Sequence, residues 1–265
     1  MIQYDEVILA YIDLLGFRSL IGGEQNPGRI LELLKTFEAV GKDQALSFNF
    51  GKTKVRCFAF SDLIVRVNLR TSSPLTWQLW EEALNLARIQ RVVLLSHGIL
   101  TRGALTVGNI CIQKRVIFGP ALSRAYELES TLAVHPRIVI DPGLVRFCKE
   151  HYGVDDSQHP GHLGHPWYKA FSRLLHTDSN DVTFIDYLAH EKLGNLNSEG
   201  IGRLEEHRDL ILDRLQRFSG DARKASKWEW ARQYHDDTID AMDEGCLTAL
   251  GSTKSQLKVG LVRGS

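Results

Sequence analysis

Two acids set among apolar residues are the positions best equipped for chemistry. Asp13 ends the run Val7-Ile8-Leu9-Ala10-Tyr11-Ile12 and is followed closely by Gly16. Asp62 breaks a second apolar stretch, Cys57-Phe58-Ala59-Phe60 before it and Leu63-Ile64-Val65 after it. A carboxylate among such neighbours is costly to bury unless its charge is compensated. A bound cation would compensate it, and carboxylate oxygens suit Mg²⁺ or Mn²⁺, which commonly hold substrate phosphates as well. Two such ions can activate a nucleophile and stabilise a leaving group in phosphoryl chemistry. The competing reading of Asp13 is a cap on a helix that begins near Phe17.

The surrounding elements must bring the two acids together. Val7 to Ile12 reads as a buried strand, too short to cross a membrane. Arg56 to Val67 reads as two strands joined at Ser61-Asp62. Asn26-Pro27 opens a helix from Ile30 to about Leu46, with Ile30, Leu33, Leu34, Phe37 and Val40 on one face. Ser72-Ser73-Pro74 starts another that runs to about Ser96, in which Trp77 and Trp80 read as packing residues. Strands are expected at Ile99–Val107, Ile110–Gln113, Arg115–Phe118 and Arg137–Ile140, with a helix from Gly119 through Ser130 and a short one from Asp141-Pro142. Two more strands are expected at Lys169–Leu175 and Val182–Leu188. From Glu205 the pattern turns helical, with Leu210, Leu212, Leu215 and Phe218 in one helix and Ala225 to Met242 in the next, and the tail after Gly251 reads as loosely ordered. The division expected is a core over residues 1–190 and a helical extension over 191–265, in the α+β or α/β class.

Several motifs then fall into a familiar order. Tyr11-Ile12-Asp13-Leu14-Leu15-Gly16-Phe17 resembles the first metal motif of class III nucleotide cyclases, usually Phe-x-Asp-Ile-x-Gly-Phe, and Phe60-Ser61-Asp62 resembles the second, usually Ile-Gly-Asp. Thr101-Arg102-Gly103-Ala104-Leu105-Thr106-Val107-Gly108 and the stretch from Phe118 to Ser130, with Ala125-Tyr126-Glu127-Leu128-Glu129, resemble the later cyclase core. With Phe184-Ile185-Asp186-Tyr187 and Lys227 to His235, the wording is similar to the pyrimidine cyclases of the bacterial Pycsar antiphage system, over most of the chain. That resemblance implies an α+β fold, a ferredoxin-like palm with a mainly antiparallel sheet flanked by helices. It implies a homodimer with its pockets between protomers, two divalent ions held by Asp13, Asp62 and the Leu14 carbonyl, and release of pyrophosphate from UTP or CTP. It further implies that the cyclic product acts on a separate cyclic-nucleotide-sensing effector.

Departures from the purine enzymes shape the expected pocket. Phe58 stands where they carry an adenine-reading lysine, and Val116 where they carry an adenine-reading Asp. An apolar pair offers no hydrogen bonds to purine edges, so a smaller base is expected. A slip of one residue would put Cys57 or Ala59 there instead. Ser123 and Glu127 replace the Asn and Arg used on ribose and phosphates, so either another cation serves, Arg102 first, then Lys114, Arg115 or Arg124, or catalysis is lost. Gly16 and Phe17 join Phe58, Val116 and Ser123 as substrate-binding candidates. Tyr11 reads as core, with a pocket wall the alternative, and Lys227 and His235 read as helix-surface residues, with a reach into the partner pocket the alternative. A non-catalytic triphosphate sensor with the same fold is the second reading. A diguanylate-cyclase-like enzyme is disfavoured, because the turn is Phe60-Ser61-Asp62 rather than Gly-Gly-x-x-Phe.

Composition excludes other classes. The 265 residues balance 32 basic against 32 acidic side chains, so no nucleic-acid or polybasic membrane surface is indicated. Met1 to Glu6 has no basic segment of a signal peptide, and the scattered Cys57, Cys111, Cys148 and Cys246 read as reduced thiols; both point to a cytoplasmic protein. Gly51-Lys52-Thr53 lacks the upstream glycine of a phosphate loop, since Leu46 occupies that position, and reads as a hairpin lead-in. His159, His162 and His165 lie in a Gly/Pro-rich stretch without cysteine partners and read as a solvated loop rather than a zinc site.

Overall fold

The computed structural model describes residues 3–23, 26–42, 55–114, 116–153, 165–192 and 196–260. The readings of Gly51-Lys52-Thr53, of Arg115 and of His159 and His162 lie outside them, as does the last stretch of the helix expected to reach Leu46. The chain forms two compact units, Met1–Tyr187 and Leu188–Ser265.

In the first unit an apolar strand, β1 (Asp5–Leu14), lies inside a mostly antiparallel sheet. After it come α1 (Phe17–Gly23), α2 (Pro27–Lys42), β2 (Val55–Phe60), β3 (Leu63–Leu69) and α3 (Leu75–His97). Next are β4 (Thr101–Gln113), β5 (Val116–Phe118), α4 (Pro120–Thr131), β6 (Ile138–Ile140) and α5 (Pro142–Tyr152), and last α6 (His165–Ser172), β7 (Leu175–Thr177) and β8 (Thr183–Ile185). Among the described residues the sheet order is β2-β3-β1-β4-β6-β8-β7, with β5 paired back onto β4 and only β6 parallel to its neighbour β4. This is the α+β architecture expected, a mainly antiparallel sheet flanked by helices.

Helices cover both faces of β1, and its apolar run is therefore continuous rather than alternating. Directly paired residues of antiparallel strands share a face. Val7, Leu9, Tyr11 and Asp13 thus share a face with Gly108, Thr106, Ala104 and Arg102 of β4. α4 packs there, and a Cβ at Gly108 would already touch the Cβ of Ala121 at 3.4 Å. The other face meets α2 and α3. On it Arg66 is fully buried, its Nε donating to Glu82 of α3 at 2.7 Å and its Nη1 to the Gly41 carbonyl of α2. α3 closes on Gly98, whose φ of 64° only glycine adopts cheaply and whose N–H bonds the Leu94 carbonyl.

Local pattern misjudges several boundaries. Ile99–Val107 and Ile110–Gln113 are one strand, β4. Lys169 lies in a helix rather than a strand, because Trp167 inserts against Trp77 and Trp80 of α3, with ring centroids at 4.1 and 5.5 Å. The strand expected at Val182–Leu188 is confined to Thr183–Ile185.

The second unit comprises α7 (Ala189–Lys192), α8 (Ser198–Arg217), α9 (Ala222–Asp240), α10 (Glu244–Ala249) and α11 (Lys254–Leu257). Asn197 and Asp221 cap α8 and α9 by accepting from the N–H groups of Gly200 and Lys224. His235 is fully buried, which corrects its reading as a surface residue. Its Nε2 donates to the Leu257 carbonyl at 2.9 Å, so its Nδ1 is left to accept from the Nδ1–H of His207, also at 2.9 Å. Burial holds the His207 ring well below its ordinary protonation range and lowers that of His235. Asp236 accepts from Val259 and Gly260 N–H at 2.8 and 3.1 Å. These bonds tie Leu257, Val259 and Gly260 to α9, within a tail expected to be loosely ordered.

Candidate active site

Asp13 and Asp62 meet at one end of the sheet. A main-chain bond sets their spacing: the Leu14 N–H donates to the Asp62 carbonyl at 2.9 Å, while the Leu15 N–H bonds the Leu100 carbonyl ahead of β4 at 2.8 Å. The β2–β3 turn is tight enough to hold Ser61 at φ 57°. At the other end of this local frame, Gly16 takes φ 82° and its carbonyl accepts from Leu20 to start α1. Asp13 does not turn to that helix. Its carboxylate faces Arg102, the residue directly opposite it on β4.

Arg102 is shared. Its Nε–H donates to Asp13 Oδ2 at 3.3 Å, while the same nitrogen stands 2.5 Å from Oε1 of Glu129 on α4. Glu129 is buried, its Oε2 accepts from the Ser130 hydroxyl, and its Oε1 receives no directed hydrogen bond. Burial lifts the Asp13 carboxyl to about 6; Arg102 pulls it down, and Glu129 and Asp62 push it up. Burial, with Glu129 and Asp13, likewise pushes the Tyr11 phenol up to about 12. Tyr11 is half-buried rather than core, with Tyr126 of α4 edge-on to it at 6.1 Å. Two carboxylates, Asp13 and Glu129, therefore share one guanidinium, and Asp62 adds its negative charge beside Asp13.

The other candidates divide. Phe58 pairs with Val65 and Val65 with Tyr11, so Phe58 shares the face of the acids; Cys57 and Ala59 point to the opposite face. Phe17 is 4 % exposed and belongs to the core, which corrects its reading as a substrate contact. Arg124 is committed elsewhere: its Nε and Nη2 each donate at 3.0 Å to Asp141, the cap of α5, and its Nη1 donates to Glu127. It is not a spare cation. Lys114 sits exposed at the β4–β5 turn. Val116 and Ser123 are also exposed and lie towards that same end. From Arg102 to Gln113, beside Val116, the strand extends on the order of 35 Å. A single chain does not bring Val116 to Asp13.

Glu129 and Tyr126 escaped the sequence reading. Their signal was faint: Glu129 follows Ala121, Ala125 and Leu128 along the buried stripe of α4, where an acid is unexpected. Among the described residues, no three His, Cys, Asp or Glu side chains form a ready metal cage. All four cysteines are free thiols. Among the described residues, no helix is long and apolar enough to cross a membrane.

No protein-family model matches the chain, and no curated protein matches it in sequence. Solved structures do align with it. The guanylyl cyclase Cya2 superposes with a TM-score of 0.41 at 14 % identity, over 69 % of this chain and 91 % of that one. A class III adenylyl cyclase-like ATP-binding protein from Pseudomonas aeruginosa superposes with a TM-score of 0.42 at 10 % identity, over 64 % of this chain and 41 % of that one.

Proposed function

We propose that the chain is a nucleotide cyclase that converts UTP, or alternatively CTP, to the 3′,5′-cyclic monophosphate and pyrophosphate. The observation that carries this reading is the pairing of Asp13 with Asp62 at the end of a buried strand, their spacing set by the Leu14 N–H to Asp62 carbonyl bond. The donor set fits a divalent ion. Carboxylate oxygens from two elements, backed by a third acid and balanced by one guanidinium, leave an excess of negative charge that Mg²⁺ or Mn²⁺ would neutralise. Asp13, Asp62 and the Leu14 carbonyl would hold two such ions, which supply charge neutralisation at the triphosphate and a more nucleophilic 3′ oxygen. In the reaction the 3′ oxygen bonds to the α-phosphorus, the bond from that phosphorus to the bridging oxygen breaks, pyrophosphate leaves, and the hydroxyl proton passes to water.

The chain's own residues position the substrate. Phe58, on the face of the acids, gives a base pocket an apolar wall without donors for a purine edge. Gly16 leaves the approach to the acids free of a side chain. A second copy of the chain supplies Val116, which does not lie near Asp13 of its own chain, and Ser123 with it. Resemblance to the Pycsar cyclases supports a cytoplasmic antiphage role in which the product activates a separate effector.

The test incubates the protein with Mn²⁺ and each of ATP, GTP, UTP and CTP and identifies products by mass. Cyclic UMP or cyclic CMP is expected, and its loss in Asp13→Ala and Asp62→Ala. Cyclic AMP or cyclic GMP would overturn the pyrimidine pocket. Ser123 and Glu127, neither cationic, favour a second reading, a triphosphate sensor without turnover. That reading predicts nucleotide binding with no cyclic product.

A further inference from the structure

Arg102 of β4 stands between two acids, Asp13 of β1 and Glu129 of α4. Its Nε–H is aimed at Asp13 although Glu129 is the nearer acid, by 2.5 against 3.3 Å. Glu129 Oε1 is buried and receives no directed hydrogen bond. A buried carboxylate oxygen without a directed donor is a costly arrangement, and a small turn of the Arg102 N–H would relieve it. What keeps the N–H on Asp13 is that Asp13 would otherwise face the charges of Asp62 and Glu129 without this cation.

We propose that Arg102 is a resident counter-ion that occupies Asp13 in the metal-free protein and is handed to Glu129 when a divalent ion binds. This rests on the proposed assignment of Asp13 and Asp62 as metal ligands. The incoming ion takes over neutralisation of Asp13, and Arg102 turns its N–H to the waiting Glu129 oxygen. Arg102 is thus a positioning residue with two seats, and Glu129 is the second seat. The arrangement sets metal affinity by competition: the ion must displace a charge-assisted hydrogen bond, partly refunded when Arg102 bonds Glu129.

Mn²⁺ titration of the purified, nucleotide-free protein, followed by calorimetry, tests the idea without using activity. Arg102→Met keeps the side chain's bulk and removes the competitor, so Mn²⁺ should bind about ten-fold tighter or more, the worth of one charge-assisted hydrogen bond. Glu129→Gln takes away the second seat and leaves Arg102 wholly on Asp13, so Mn²⁺ should bind more weakly. A merely structural Arg102–Glu129 pair would move both variants the same way. Should Arg102→Met fail to fold, the wild-type protein gives a second readout: the Arg102 Nε–H resonance should shift on adding Mg²⁺ and stay still in Asp13→Asn. Wild type and Arg102→Met binding Mn²⁺ equally would overturn the hand-over and leave the metal assignment standing. Binding retained in an Asp13→Ala, Asp62→Ala double variant would overturn the metal assignment itself. Absence of binding in wild type with binding in Arg102→Met would support the hand-over in its strongest form, and absence in both would sink both ideas.

Discussion

At the residue scale, Asp13 works against the stability of the strand that carries it. Its carboxyl titrates near 6 in the fold and near ~3.9 in an unfolded chain. Between those values the folded protein holds the extra proton, so stability falls as pH rises from about 4 to about 6, and the loss is complete above that. Asp13→Asn should therefore be more stable than wild type at pH 7.5, by roughly 1–3 kcal/mol, with the gap closing below pH 4. Urea unfolding at the two pH values measures it; a gap that persists at pH 4 would point to packing instead of charge. Arg102 keeps Glu129 as a partner in that variant, so no cation is stranded. A group held at such a cost at neutral pH is a mark of a site kept for function.

At the element scale, Gly103 decides how closely β4 can approach β1. A Cβ there would lie 2.1 Å from the Tyr11 carbonyl oxygen, which is main chain and cannot swing aside. Gly103→Ala should cost about 1–3 kcal/mol of stability, as overpacking does. It should also weaken Mn²⁺ binding, because Arg102 and Asp13 face each other through this pairing. Thermal unfolding and metal titration check the two effects; unchanged metal affinity in a folded variant would show that the pairing tolerates the shift. The same elements show what sequence can convey. Asp13 and Asp62 stood out because a lone acid beside apolar strand residues is locally anomalous, and Arg102 because of its motif. Glu129 did not, since an acid on an amphipathic helix usually faces water and only its place on the stripe with Ala125 and Leu128 says otherwise. Helix α6 was misread because Lys169 to Leu175 carries no strong period, and what makes it a helix is the contact of Trp167 with Trp77, some ninety positions away in the chain.

At the scale of the whole molecule, the two units differ in what titrates inside them. The helical unit buries a neutral pair, His207 and His235, with Arg208 and Asp236 the charged groups acting on His235. Rings whose protonation is suppressed by the fold contribute stability above the unfolded value of ~6.5 and lose it as pH falls below that. Amide exchange on the full-length chain should show α9 and residues 253–260 losing protection between pH 7 and pH 5, while β1 and β4 keep theirs. Equal loss in both units would tie the effect to global unfolding rather than to the pair. His235→Gln, which keeps a donor for the Leu257 carbonyl, should flatten the response.

The N–H group that ties the two acids together, on Leu14, belongs to the main chain. Every amino acid except proline carries that donor. The spacing of Asp13 and Asp62 is therefore inherited with the backbone and survives turnover of the side chains around it. The wall beside the acids, the row Phe58–Val65–Tyr11–Ala104, has no such protection and is written entirely in side chains. Over evolutionary time such a chain can change the wall without moving the two acids.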